Sequence, residues 1–151
     1  MVAIEISRIL NPNFTILISS ITKPNELPHW KKLGNLGLLN LIPNKLMKPP
    51  QLIFNFLFSA DNRILLKEIV DDTKPQFIRW ALNAIIKWKS EYIPPNLLRI
   101  HGTNDRLIPL KGKAECIKGG GHFMIVDQAD SISKIINIFL QENGMKGQKS
   151  L

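Results

Sequence analysis

Apolar residues along this chain alternate between two periods, and the order in which the periods occur predicts the architecture. Val2, Ile6, Ile9 and Leu10 recur at helical spacing, with Glu5 and Arg8 on the other side, so Met1 to Leu10 reads as an amphipathic helix. Asn11-Pro12-Asn13 breaks it. The β-branched run Phe14-Thr15-Ile16-Leu17-Ile18-Ser19-Ser20 that follows is short and continuously apolar, as in a buried parallel strand.

From Ile21 to about Pro95 the pattern turns mainly helical, punctuated by Pro24, Pro28, Gly34, Gly37, Pro43 and Pro49-Pro50. Lys74 to Glu91 is its strongest segment, with Phe77, Trp80, Ala81, Ala84, Ile85 and Trp88 predicted on one face. Shorter helices are expected over Gln51 to Ser59 and Asn62 to Val70, while Leu27 to Leu46 carries no decisive period. A second strand is expected over Asn96 to His101 and a brief third over Ala114 to Ile117.

The last helix should be capped by Asp127 or Asp130, bury Ile132, Ile135, Ile136 and Phe139, and stop before Asn143-Gly144. Residues 144–151 are then a disordered tail. The whole reads as one α/β domain over residues 1–151, with about three parallel strands, flanking helices and a helical insertion over 21–95.

Composition narrows the function classes. A chain of 151 residues, 44% apolar and 21% charged, is the size and make-up of one globular domain. Its apolar stretches are too short to span a bilayer, and the first residues lack the basic start and cleavage site of a signal peptide. A single cysteine, Cys116, excludes an internal disulfide and suits a reducing cytoplasm, the expected location. The net charge of +8 would fit a basic binding module, but the lysines are scattered and form no aromatic-interleaved stripe. Neither a nucleic acid nor a membrane is therefore the expected partner.

Two segments carry chemistry. His101-Gly102-Thr103-Asn104-Asp105 follows the second strand, and Gly119-Gly120-Gly121-His122 follows the third. Residues just past the carboxyl ends of parallel strands line the crevice where ligands bind in open α/β sheets. An aspartate and a histidine on adjacent strands can meet there, the carboxylate orienting the imidazole as a general base. Singly, Asp105 is also a turn residue bonding its own backbone, and His122 a half-buried ring satisfied by a carbonyl.

No residue convinces as the nucleophile. Ser19 and Ser20 lie on the correct rim but outside any strained elbow, and Cys116 is expected to be a small buried hydrophobe. His101 is expected to pack or bond to backbone, and His29 sits in a proline-flanked loop. None of these has metal-ligand spacing, and no glycine-rich phosphate loop precedes a helix, so neither metal nor cofactor is expected.

In this order, strand-HGTND-strand-GGGH-helix, the chain resembles the C-terminal portion of the α/β-hydrolase superfamily of esterases and lipases, beginning just after the G-x-S-x-G nucleophile elbow. The resemblance covers most of the chain. It implies Asp105 as the acid and His122 as the base of a Ser-Asp-His mechanism acting on a small ester or related carbonyl substrate. It casts the helical insertion as a cap that roofs the pocket, with Trp80 and Trp88 as candidate substrate-binding residues, Phe54, Phe56 and Phe58 as further lining candidates, and the whole stripe alternatively as cap–core packing.

The serine and both oxyanion donors are missing, so the isolated chain is expected to be inactive. The uncapped start of the first helix fits residues that follow elbow glycines. Completion by an N-terminal half in trans would restore a small-molecule site, and an exposed sheet edge makes self-association possible.

Overall fold

The computed structural model describes residues 1–28 and 38–148. Three parallel strands form its sheet in the order β1 (Thr15–Ile18), β2 (Leu97–Gly102), β3 (Glu115–Ile117). Thr15 to Ile18 pair with Leu97 to Ile100, and Ile100 to Gly102 with Glu115 to Ile117. The arrangement is α/β, as the succession of periods implies; β2 and β3 lie within one residue of their expected positions, and β1 ends at Ile18, two residues before Ser20.

Alternation along the strands divides the core in two. One face carries Leu98, Ile100 and Ile117, packed on Met124 of α5 (Met124–Asp127) and Ile132 of α6 (Ala129–Gln148). Ile135, Ile136 and Phe139 complete that layer, which is the face the helical spacing predicts. The opposite face packs Leu17 on Ile4 of α1 (Val2–Leu10), Ile21, Leu27 and Trp88. The helix α6 continues to Gln148, past the expected stop at Asn143-Gly144, so the tail assigned to 144–151 is helical through Gln148, and residues 149–151 lie outside the described residues. Among the described residues no helix is long and apolar enough to cross a membrane.

Within the insertion lie α2 (Gln51–Phe58), α3 (Arg63–Asp72) and α4 (Pro75–Lys87), close to the expected segments. One helix turns a different side inward from the one its periodicity suggests, and α4 does so only in its first half, since Ala81, Ala84 and Ile85 are half-buried and Trp88 is buried as expected. In α1 the residues that face the core are Ile4 and Ser7, whereas Val2, Ile6 and Ile9 are exposed. Ser7 is drawn in because its hydroxyl bonds both Ala3 carbonyl and the Thr15 hydroxyl at 2.6 Å. In α4, Phe77 and Trp80 are exposed and stack on each other at 5.5 Å. There Arg79 points toward the two 3-10 turns Leu38–Leu41 and Asn44–Leu46, donating to the Leu39 and Ile42 carbonyls and, at 3.0 Å, to Asn44 Oδ1. Irregular backbone has carbonyls that no ladder satisfies, and a guanidinium with five donors meets that need better than an indole.

Asp127 also has a different task from capping the last helix. Its two carboxylate oxygens accept the backbone N–H groups of Asp61 at 2.8 Å and Asn62 at 3.0 Å, at the start of α3. Asn62 itself caps that helix by accepting from Leu65 N–H. A carboxylate at a helix N-terminus satisfies free donors and opposes the positive end of the dipole. Asp127→Ala is therefore expected to lower stability by about 1 kcal/mol, read as a reduced denaturation midpoint in urea with an unchanged slope.

Candidate functional site

The two loops that leave β2 and β3 are held together by backbone contacts before any side chain is considered. Thr103 N–H donates to Ile117 carbonyl at 3.0 Å and Asn104 N–H to Gly120 carbonyl at 2.8 Å. The approach is so close that a Cβ on Gly102 would lie 2.1 Å from the Gly120 oxygen. Gly121 is equally confined, since a Cβ there would sit 2.4 Å from the Ser59 carbonyl oxygen and 2.5 Å from that of Phe58. Of the three consecutive glycines only Gly119 has a positive φ, at 76°, so the run serves close packing more than tight turning.

This packing brings Asp105 and His122 together. His122 Nδ1 lies 2.8 Å from Asp105 Oδ2, and Asp105 Oδ1 accepts Ile108 N–H at 2.8 Å. The aspartate side chain is fully buried, while that of His122 retains 21% exposure. A carboxylate only accepts, so the imidazole carries a hydrogen on Nδ1, and its Nε2 has no hydrogen-bond partner among the described residues. Burial by itself pushes the Asp105 carboxyl up. Hydrogen bonds from His101 and His122, the charge of His122 and the Ile108 N–H outweigh it and hold the group at about 2. The carboxylate is thus ionised at neutral pH and able to orient an imidazole.

Phe58, one of the lining candidates of the helical insertion, reaches this site, and what sequence reasoning missed is the backbone contact that brings it there. The C-terminal end of α2 lies across the site: Phe58 carbonyl accepts His122 N–H at 2.8 Å, and the Phe58 ring meets the imidazole edge-on at 5.3 Å. Ser59, whose left-handed φ of 48° ends the helix, donates from its hydroxyl to Asn104 carbonyl at 2.8 Å. Arg106 stacks over Phe56 at 4.4 Å. The left-handed stop after Phe58 is encoded by neither hydropathy nor periodicity. His101 is also closer to the chemistry than expected. It bonds backbone as predicted, through Nε2 to Ile108 carbonyl at 2.8 Å, but the same nitrogen lies 3.4 Å from Asp105 Oδ2.

The other candidates fall elsewhere. Trp88 is buried with Ile4 and Leu17, and its indole N–H donates to Glu5 at 2.7 Å, which matches the cap–core packing alternative. Trp80 is 62% exposed beside Phe77. No hydrogen bond or ring contact among the described residues joins either tryptophan to Asp105 or His122. Ser19 departs from expectation: it has a left-handed φ of 46° at the end of β1, and its buried hydroxyl has no partner. No hydrogen bond links it to His122.

Cys116 is exposed, not buried, because β3 is an edge strand and no helix intervenes between Asp105 and His122 to cover that side. His29 lies outside the described residues. Among the described residues no three His, Cys, Asp or Glu side chains gather into a group that could hold a metal ion. Two open clefts, of about 690 and 850 Å³, flank β3 away from the Asp105–His122 pair.

Comparison of this chain with protein-family models, with curated proteins and with solved structures returns no match.

Proposed function

We propose that this chain carries the acid–base part of an α/β-hydrolase-type site, whose parent reaction is hydrolysis of a small ester or related carbonyl compound. The observation that supports this reading is the 2.8 Å bond from His122 Nδ1 to a buried, ionised Asp105, with Nε2 left over as a base. In that chemistry Nε2 takes the proton of an attacking serine hydroxyl as its oxygen adds to the carbonyl carbon. Asp105 stabilises the imidazolium, which then returns the proton to the departing alkoxide as the acyl-serine forms. Water attacks the acyl-serine by the same proton route in reverse order. The fully buried carboxylate stays charged throughout, and the Phe58 ring shields one edge of the imidazole.

A serine in bonding reach of Nε2 is not among the described residues, so the chain as it stands is expected to show no saturable turnover of p-nitrophenyl butyrate. Adding a polypeptide that carries a parallel strand and a G-x-S-x-G elbow should produce saturable turnover. His122→Ala should then reduce kcat roughly 1,000-fold or more. Equal turnover with and without His122 in the completed protein would refute the assignment.

A second reading, in which that complement docks in trans, is favoured by one feature of the fold. β1 lies at the edge of a parallel sheet, and beside it α1 turns Val2, Ile6 and Ile9 outward. Parallel sheets are ordinarily covered on both faces, and an unpaired edge next to an apolar helix face is a template for addition of another strand. The same edge would support self-association. Sedimentation of the chain alone and with the complement separates the two: a concentration-dependent homodimer supports self-pairing, and a one-to-one complex supports docking in trans.

A further inference from the structure

His101 has no exposed surface and sits near the end of β2, the central strand of the sheet. Its Nε2 lies 2.8 Å from Ile108 carbonyl, and a carbonyl only accepts, so a hydrogen sits on Nε2. Its Nδ1 is buried without a partner, and a hydrogen there would be an unsatisfied donor in the core. The tautomer is thereby fixed. Ile108 is held twice, its carbonyl by His101 and its N–H by Asp105 Oδ1 at 2.8 Å. The turn from Asp105 to Ile108 is thus clamped to β2 at one end and closed on itself at the other.

We infer that His101 is a positioning residue acting through Asp105. By fixing the Ile108 peptide it sets the rotation of the carboxylate. Ile108 N–H occupies Oδ1, and Oδ2 is left to face His122 Nδ1 at 2.8 Å, with the His101 N–H adding a long contact of 3.4 Å to the same oxygen. The consequence is a set tautomer at His122, hydrogen on Nδ1 and lone pair on Nε2. In the absence of such a partner an imidazole in water prefers its hydrogen on Nε2, the form that cannot act as the base. The base role for His122 rests on the proposed hydrolase reading, but the chain of contacts from His101 to the His122 tautomer does not.

Nitrogen-15 NMR of the imidazoles at mildly alkaline pH tests this without any reaction. Wild-type protein should show His122 with its hydrogen on Nδ1 and a resolved downfield proton for the bond to Asp105. His101→Leu should lose that proton resonance and move His122 toward the Nε2–H tautomer. His101→Gln, whose amide can donate to Ile108 carbonyl from a similar position, should restore both. A folded His101→Leu protein with an unchanged His122 tautomer and Nδ1–H resonance overturns the proposal. If the leucine variant does not fold, the wild-type spectrum decides: a hydrogen on His101 Nε2 supports the clamp, and one on Nδ1 overturns it. Since no arm depends on ester hydrolysis, failure of the hydrolase reading would leave these spectra as they are.

Discussion

Asp105→Ala is expected to destabilise the protein by roughly 3 kcal/mol, because it removes the acceptor shared by one backbone and two imidazole donors. Ile108 N–H and His122 Nδ1–H, both at 2.8 Å from the carboxylate, lose their partner together, and the His101 contact at 3.4 Å goes with them. Asp105→Asn should cost less, about 1 kcal/mol, since its carbonyl can still accept from Ile108. Its amide would nevertheless donate to His122 Nδ1 and force the hydrogen onto Nε2, blocking the nitrogen that the proposed mechanism uses while keeping the fold.

The aspartate also predicts a pH dependence with a definite sign. Its folded-state value of about 2 lies below the ordinary 3.8, so its contribution is present above about pH 4 and is lost as pH falls toward 2. The loss should be on the order of 2 kcal/mol. Urea denaturation of wild type and Asp105→Asn between pH 5 and about 2 checks this, since the asparagine variant lacks this group's share of the decline. Parallel curves for the two proteins through that window would contradict the ionised, paired state assigned to Asp105.

The site residues were legible in the sequence because their placement follows from topology alone. Asp105 and His122 each come a few residues after a strand, and parallel strands in register put both at one rim. The face of α6 was legible for a related reason, since Ile132, Ile135, Ile136 and Phe139 recur at helical spacing and pack on the layer beside the sheet. What escaped the pattern was decided by polar satisfaction. Arg79 turns inward to serve the Leu39 and Ile42 carbonyls, and Ser7 to reach Thr15, so the apolar residues Trp80 and Ile6 are left facing outward. Periodicity locates an apolar stripe but says nothing about which loop carbonyls lack donors. Phe58 was legible as a lining candidate, but the backbone contacts of Phe58 and Ser59 beside His122 were not, because they are made against glycines, which carry no hydropathy signal.

Arg99 is the other polar group that orders the core, and Arg99→Met is expected to cost about 3–5 kcal/mol. Its side chain is 6% exposed, and it meets the nearly buried Glu26 at 2.6 Å. One terminal nitrogen also donates to Ser20 carbonyl at 3.1 Å, and the other to Lys111 carbonyl at 2.7 Å. Glu26 in turn receives Thr22 N–H at 3.3 Å and the Thr22 hydroxyl. Removing the cation leaves a buried carboxylate with too few donors, which is why the single substitution is severe. Replacing both charges, in Glu26→Leu with Arg99→Met, should cost less than the sum of the two single changes by about 1–3 kcal/mol. Urea denaturation of the four proteins gives the coupling directly, and strict additivity would show that the pair does not act as a unit.

The effect should reach the site. Lys111, which Arg99 anchors, is three residues past Ile108, so β2 grips the segment from Asp105 to Lys111 at two points, through His101 and through Arg99. Loosening the far grip should broaden the His122 Nδ1–H resonance even where Asp105 and His122 themselves are unchanged. A sharp, unshifted resonance in a folded Arg99→Met protein would mean that the His101 clamp alone positions the carboxylate.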